Sequence, residues 1–300
     1  MSGARSQMDR RALFASGAAA ALLAATGLSA GPAPQRGGRL RMALSGAARD
    51  DTFDPRAAQG LFMQVAMAGA AFDTLTEIAA DGTLRGELAT GWRGNPQADV
   101  WTLDLRRDVL FHNGKTLVAE DVAASLALHG QGLLADVIRI ETQGTGQLRI
   151  TLRQGDADFP YRLSTPALVI LPGDRLEDAI REGTGTGLYR TAKFLPGRQF
   201  IGTRVEDHYK DGTAGWFDSV ELVSVPADAV RAQALREGLV DAADLAERAL
   251  IGTTQDIRLL PDVHAMSAAI QAGVALPAGI GTRWPLDNLR AAERWWMASG

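Results

Sequence analysis

The stretch GLSAG, residues 27–31, has the G-x-S-x-G spacing of the nucleophile elbow of serine hydrolases. That motif needs a strand before the serine and a helix after it, so that the hydroxyl is exposed on a sharp turn. Here an alanine-rich apolar run, residues 12–28, precedes the motif and follows Arg10 and Arg11. A hydrolase interpretation therefore depends on whether this segment is part of the working protein.

Residues 1–30 have the pattern of an export signal. Arg10 and Arg11 end a positive n-region, an apolar run follows, and small residues lead to Ala30. We expect cleavage after Ala30, which removes the serine of the motif; a buried N-terminal helix is the alternative. The paired arginines resemble a twin-arginine signal, but Asp9 stands where Ser or Thr is usual, so twin-arginine and general export both stay open.

The histidines do not have the spacing of a metal site. They are His112, His129, His208 and His264. No two are four residues apart and none has an acidic residue at ligand spacing, so we expect surface or turn histidines and no metal. The chain has no cysteine, which excludes disulfides, thiolate nucleophiles and lipid attachment to cysteine. With no nucleophile, metal or thiolate set after cleavage, we predict that the protein is not an enzyme.

Two further stretches suggest ligand chemistry but do not meet its rules. GTGTG, residues 183–187, has neither phosphate-loop nor dinucleotide spacing, so we expect a turn whose glycines adopt positive φ. Residues 48–55, ARDDTFDP, hold three aspartates, but a calcium loop needs a longer set of oxygens and a closing Glu. We predict a solvated loop there and no cofactor.

Composition excludes some classes of protein. The 300 residues carry a formal charge of −4, and removing the arginine-rich signal makes the chain more negative. An acidic chain without basic clusters is a poor nucleic-acid binder. After the signal, no segment is long and apolar enough to span a membrane. About 270 residues would remain, enough for one large domain or two small ones.

Apolar periodicity alternates between strand and helix along the chain. Predicted strands cover 39–45, 100–106, 137–155 (two strands), 188–207 (a hairpin) and 219–225, and predicted helices cover 61–72, 119–130 and 227–238. VLFHNGKTL is expected to continue the strand at 100–106 through a hairpin turn at Asn113–Gly114. Gly130 and Gly238 are expected to cap their helices. The order indicates an α/β fold with a mixed sheet.

Five of these stretches occur together, in order, in one family. They are DTFDP (51–55), FDTLTEIAADGTLRGELATGW (72–92), WTLDLRRDVLFHNGKTLVAEDVAASL (101–126), GTGLYR (185–190) and ALREGLVDAADL (234–245). Together they resemble the family 5 extracellular solute-binding proteins. The resemblance implies an α/β fold, lobe one of a type II periplasmic binding protein with a mixed sheet and flanking helices. It also implies non-catalytic capture of peptides, nickel chelates or similar solutes for an ABC permease.

The resemblance also implies where solute binds. In the family, the loop after the first strand and the segment after the signature helix face the cleft. Carried to this sequence, these segments make Arg49, Asp50, Asp54, His129 and Gln131 the candidate ligand-binding residues. Contacts from the family's second lobe cannot be carried over, because no residue here matches them.

The sequence departs from the family in detail and in length. Val118 replaces a hydroxyl residue at a helix N-cap, a loss of about 1 kcal/mol, and Leu188 replaces a turn proline. The resemblance ends near Leu245, and residues 284–300 resemble only the opening of a second lobe. We therefore expect a signal at 1–30, a Pro/Gly linker at 31–38, lobe one at 39–245 and a short tail at 246–300.

Two functions follow from this organisation. The first is a periplasmic solute-binding component of an ABC importer. The alternative is a truncated lobe-one protein that binds a partner or dimerises in the periplasm without transport. Exposed aromatics at Trp295 and Trp296 favour self-association, unless they pack onto lobe one.

Overall fold

The computed structural model describes residues 37–57, 60–78, 83–211, 214–252, 257–259 and 267–271. The predictions for the export signal, for residues 31–36 of the linker, and for His264, Trp295 and Trp296 lie outside these residues. Within the described part, two larger sheets each have an apolar core, and a short two-stranded ribbon accompanies them. No helix of this part is long and apolar enough to cross a membrane.

The strands and helices that the periodicity predicts are present, together with strands and helices that it does not predict. The strands are β1 (Arg39–Leu44), β2 (Thr76–Ile78), β3 (Leu84–Gly86), β4 (Ala89–Gly94), β5 (Val100–Leu105), β6 (Val137–Thr142), β7 (Gln147–Leu152), β8 (Tyr189–Leu195), β9 (Gln199–Arg204), β10 (Ser219–Ser224), β11 (Ala242–Leu245), β12 (Ile257–Leu259) and β13 (Ser267–Gln271). The α-helices are α1 (Leu61–Gln64), α2 (Ala119–Ala127), α3 (Phe159–Arg162), α4 (Leu176–Glu182) and α5 (Asp228–Arg236). α1 passes directly into a π-helix, Val65–Ala71.

The larger sheet is built around β1. Its strand order is β12-β13-β11-β1-β10-β9-β8, in which β1 is parallel to both neighbours and the remaining pairs are antiparallel. Met42 lies opposite Leu222 on one side and Ala242 on the other, and all three are buried. Because β1, β10 and β11 run in the same direction, their carboxyl ends share one edge of the sheet.

The predicted helix at 61–72 is confirmed, but most of it is a π-helix. Its small residues allow the 183–187 loop to approach closely. A Cβ on Gly185 would lie 2.2 Å from the Ala71 carbonyl oxygen, and one on Gly187 would lie 2.2 Å from that of Ala70. Of the three glycines in this loop, Gly183 has a positive φ, +69°, and the other two do not. The positive-φ expectation is therefore wrong for Gly185 and Gly187, which are glycines because the backbones nearly touch.

The smaller sheet is antiparallel, in the order β4-β5-β7-β6, and α2 packs against it. β5 alternates as predicted, with Trp101, Leu103 and Leu105 in its core. The predicted hairpin at Asn113–Gly114 is wrong in part. Gly114 does form a turn, with φ +85°, but a single bridge between Leu110 and Thr116 replaces paired strands.

The ends of α2 also differ from expectation. The helix ends at Ala127, three residues before the predicted cap Gly130. Beyond it, the backbone N–H groups of His129 and Gly130 bond to carbonyls three residues back, and a series of such turns leads to β6. As predicted, Val118 supplies no side-chain acceptor at the N-cap. The Asp121 carboxylate partly compensates, since it accepts hydrogen bonds from the N–H groups of Val118 (3.0 Å) and Gly173 (2.7 Å).

Three buried charges lie where the two cores meet, and we call Asp73, Glu87 and Lys210 the seam cluster. The Lys210 Nζ lies 2.6 Å from Asp73 Oδ1 and 2.6 Å from Glu87 Oε1. All three side chains are at most 6% exposed. Thr74 donates to Glu87 from its N–H and its hydroxyl, and Thr186 donates to Asp73. Burial raises the pKa of Asp73, but Lys210 and the neighbouring polar side chains together outweigh burial, and the pKa lies below its usual value.

Two buried histidines hold the 183–187 loop, and one of them, His208, also bonds to Lys210 of the seam cluster. The Nε2–H of His112 donates to the Gly187 carbonyl and that of His208 to the Thr186 carbonyl, each at 2.8 Å. Their Nδ1 atoms accept from the N–H groups of Gly185 and Lys210. The sequence predicts surface or turn histidines. His112 does lie in a turn, but both rings are buried and bonded to backbone. Burial lowers both pKa values, that of His112 to about 4.

Candidate functional site

The carboxyl edge of the larger sheet is the candidate site. In open α/β sheets, ligands bind beyond the carboxyl ends of the parallel strands. Residues 45–57 follow β1 at this edge, residues 225–227 follow β10, and Ala246 follows β11. Residues 45–57, which we call the edge loop, contain three of the five predicted ligand-binding residues, namely Arg49, Asp50 and Asp54.

A buried acid fixes the start of the edge loop. Asp244, fully buried on β11, accepts from the Ser45 N–H at 2.8 Å and from the Ser45 hydroxyl at 2.7 Å. Since Ser45 directly follows β1, this pair joins the ends of two parallel strands. The loop therefore leaves the sheet from a fixed point.

One arginine connects the third parallel strand. Arg231 on α5 is 3% exposed, and its guanidinium lies 3.2 Å from the Asp244 carboxylate. It also donates to the carbonyls of Asp244 (2.7 Å), Val225 (2.6 Å) and Pro226 (2.9 Å). A planar guanidinium with several donors suits this role, since it bonds the ends of β10 and β11 together.

Sequence reasoning missed Asp244 and Arg231. Each carried a signal, because Asp244 is an acid inside an apolar strand and Arg231 lies on the apolar side of α5, beside Ala232 and Leu235. Charged residues in such positions are rarely buried unless they are paired. The pattern predicts buried partners but cannot say which residues they are.

The middle of the edge loop is fixed to the β8–β9 turn. The Asp51 carboxylate accepts from the N–H groups of Ala48 (3.0 Å) and Gly197 (3.3 Å). A Cβ on Gly197 would lie 2.8 Å from the Ala48 carbonyl oxygen, so the turn and the loop are in close contact. Burial raises the pKa of Asp51 against these hydrogen bonds. Arg49 and Asp50, between these anchors, are exposed.

The end of the edge loop holds an ion pair. Arg56 binds Asp54 through two side-chain hydrogen bonds, Nε to Oδ1 at 2.8 Å and Nη2 to Oδ2 at 2.7 Å. Hydrogen bonding from Arg56 lowers the pKa of Asp54. Phe53 anchors this segment in the core, its ring centroid 4.5 Å from that of Phe194. This end of the loop therefore has an aromatic side chain in the core and an ion pair nearer the surface.

His129 is close enough to Asp54 for their charges to interact. It is buried in the turn after α2, and burial lowers its pKa against the Ala167 backbone and the Asp54 carboxylate. Gln131, two residues further, is exposed. The structure thus places Arg49 and Asp50 at the β8–β9 turn, and the Asp54 carboxylate acts on the pKa of His129.

The described residues contain no group of three or more histidine, aspartate or glutamate side chains that could hold a metal ion. The charges of the edge loop are instead distributed as single groups or as the Asp54–Arg56 pair. Such an arrangement can hydrogen-bond and neutralise the charged ends of a small solute.

Comparisons with known proteins identify the family and the fold. The profile of the bacterial extracellular solute-binding proteins, family 5 Middle, matches residues 83–265, more than half of the chain. The HTH-type transcriptional regulator SgrR of Salmonella typhi is 29% identical over 159 residues, 52% of this chain and 28% of that protein.

Solved structures share the fold. The PBP AgaA in complex with agropinic acid, from A.tumefacien R10, has a TM-score of 0.68 at 28% identity and covers 75% of this chain and 48% of its own. The periplasmic binding protein DppA of Helicobacter pylori, in complex with the peptide STSA, has a TM-score of 0.68 at 22% identity, with 76% and 51% covered. The chain therefore spans about half the length of these proteins. The fold is that of type II periplasmic binding proteins, and the chain belongs to the bacterial extracellular solute-binding proteins of family 5.

Proposed function

We propose that the protein is the solute-binding component of an ABC importer and that it captures a peptide or similar small solute at the edge loop without chemistry. The observation that carries this proposal is the anchored loop at the carboxyl ends of three parallel strands. Asp244 and Asp51 hold its backbone, while Arg49 and Asp50 remain exposed. A loop fixed before binding loses less entropy when solute arrives.

Opposite charges on the loop suit a solute with both an ammonium and a carboxylate. Arg49 would pair with the carboxylate, and Asp50 and Asp54 with the ammonium. His129, whose pKa is lowered by burial, and Gln131 would add hydrogen bonds. Peptides have this pattern of charge, and the related AgaA and DppA were solved with agropinic acid and a peptide.

The remaining roles belong to the same proposal. Residues 39–245 act as lobe one together with β12 and β13, which extend the same sheet, and the rest of residues 246–300 begins the opposing lobe. Residues 1–30 export the chain to the periplasm, where it delivers solute to an inner-membrane permease. Family membership supports these roles, since the family is described as extracellular and solute-binding.

The test is thermal melting of the full chain with saturating pools of dipeptides, oligopeptides, opines and nickel chelates. A ligand at 100 times its Kd stabilises the folded state by about 2.7 kcal/mol. We expect one pool to raise the melting temperature, and the rise to be lost in the double variant Arg49→Gln, Asp54→Asn.

Arg93→Gln is the matched control. Arg93 forms an exposed ion pair with Asp104 on the smaller sheet, 3.1 Å apart, away from the edge loop. This variant should keep the ligand-induced rise. A cooperative melt that no pool shifts, or a rise that survives the double variant, would contradict the proposal.

A further inference from the structure

β6 is an edge of the smaller sheet, with β7 on one side and no strand of the described residues on the other. The Gln143 N–H donates to the Gln147 carbonyl at 2.8 Å, so Gln143 and Glu141 direct their backbone groups toward β7. Backbone groups of alternate residues point to opposite sides of a strand. Ile140 and Thr142 therefore direct theirs outward, where another strand can pair with them.

An apolar groove lies beside this edge. It encloses about 340 Å³ between α2 and β6. Its lining is mainly aliphatic: Ala123, Leu126, Leu134, Val137, Ile138 and Ile140. Ile138 is 57% exposed, and Leu133, near the groove, is 49% exposed. An open strand beside an apolar groove is the arrangement in which added strands bind, since backbone bonds give affinity and the groove takes side chains.

The charges of β6 are complementary to a second copy of themselves. Arg139 and Glu141 flank Ile140 and form an ion pair at 2.9 Å. When two copies of β6 pair antiparallel about Ile140, Arg139 of each faces Glu141 of the other. If the strands instead paired about Glu141, the two copies of Glu141 would lie opposite each other. If they paired about Arg139, the two copies of Arg139 would do so. Like charges directly opposite destabilise a strand pair.

An edge of the larger sheet shows the contrast. β8 carries two cations, Arg190 and Lys193, and no acid. Self-pairing of β8 would bring like charges together, which is a common way to block an edge. β6 has no such block, since its two charges have opposite sign and favour one register.

We propose that β6 is the interface of a homodimer, in which two copies pair antiparallel about Ile140. The two four-stranded sheets then form one continuous sheet of eight strands. The second copy covers Ile138 and Leu133, and four alternating charges cross the interface. This surface is separate from the edge loop, so the dimer does not depend on solute binding.

Charge reversal tests both the surface and its register. Sedimentation of the full chain over a range of concentrations should show a dimer. In pairing about Ile140, position 139 of one copy lies opposite position 141 of the other. Arg139→Glu therefore places glutamates opposite each other, and Glu141→Arg places arginines opposite each other. We expect each to weaken dimerisation at least about tenfold. The double variant restores opposite charges and should return to within about threefold of the unaltered chain.

Arg93→Glu on β4 is the matched control and should leave the dimer unchanged. Melting temperatures of all variants establish that each is folded. A chain that stays monomeric at all concentrations would overturn the proposal, as would a dimer that the single reversals do not weaken. A double variant that stays monomeric would also overturn it, because pairing about Ile140 predicts rescue. Pairing about Glu141 would instead place two arginines opposite each other in that variant.

Discussion

The seam cluster and the edge loop are both rich in charge, but they differ in access to water. In the seam cluster every side chain is at most 6% exposed, and Lys210 contacts two carboxylates at once. In the edge loop, the Arg56 side chain is 52% exposed and pairs with Asp54. The same chemical groups therefore have different roles, because burial decides what an unpaired charge costs.

The difference shows which charges are structural. A buried charge without its partner keeps the full cost of desolvation, whereas an exposed one regains water. The seam cluster should therefore tolerate almost no substitution. The edge loop should tolerate many, since its backbone anchors, Asp51 and Asp244, hold it regardless of the exposed side chains.

The largest expected effect is the loss of the seam lysine. Lys210→Met removes the ammonium that both Asp73 and Glu87 contact, and we expect the free energy of unfolding to fall by about 3–5 kcal/mol. Chemical denaturation of the full chain measures this directly. Arg56→Met is the matched control in the edge loop and should cost less than about 1 kcal/mol. Equal losses in the two variants would remove the distinction between the regions.

A smaller effect is expected from pH. Folded His112 has a pKa of about 4, whereas an unfolded histidine titrates near 6.5. Between these values the unfolded chain binds more protons, so the free energy of unfolding falls as the pH drops from 6.5 to 4. The loss reaches about 3 kcal/mol and stops below pH 4, where both states are protonated.

Denaturation at several pH values, compared between the unaltered chain and His112→Asn, isolates this contribution. The asparagine amide can still donate a hydrogen bond but does not titrate, so the variant should show a flatter profile between pH 4 and 6.5. His208, whose pKa is also lowered, accounts for part of the slope that remains. An unchanged profile in the variant would show that His112 is not held neutral by the fold.

Local patterns predicted β1, the strands β5 to β10, and the helices α1, α2 and α5. Strict alternation located β5, and Gly238, with φ +68°, follows α5 as a C-terminal cap should. The family motifs gave the fold. These features depend on neighbours in sequence, which is why they can be read without a structure.

Contacts between distant segments were not predictable. Lys210 contacts Asp73, which is 137 residues away in the sequence, and Asp244 contacts Ser45, which is 199 residues away. No spacing rule connects such positions, which is why the sequence does not predict that His112 and His208 are buried or that Gly185 and Gly187 lack a positive φ. Their actual roles depend on carbonyls and helices brought close only by the fold.

The most direct test of the account is amide hydrogen exchange of the full chain with and without the solute pool that raises its melting temperature. We expect added protection in the edge loop, residues 45–57, and in the turn at 129–132. The backbone around Asp73, Glu87 and Lys210 should exchange slowly in both states. Protection that spares the edge loop would contradict solute capture at the carboxyl edge of the sheet.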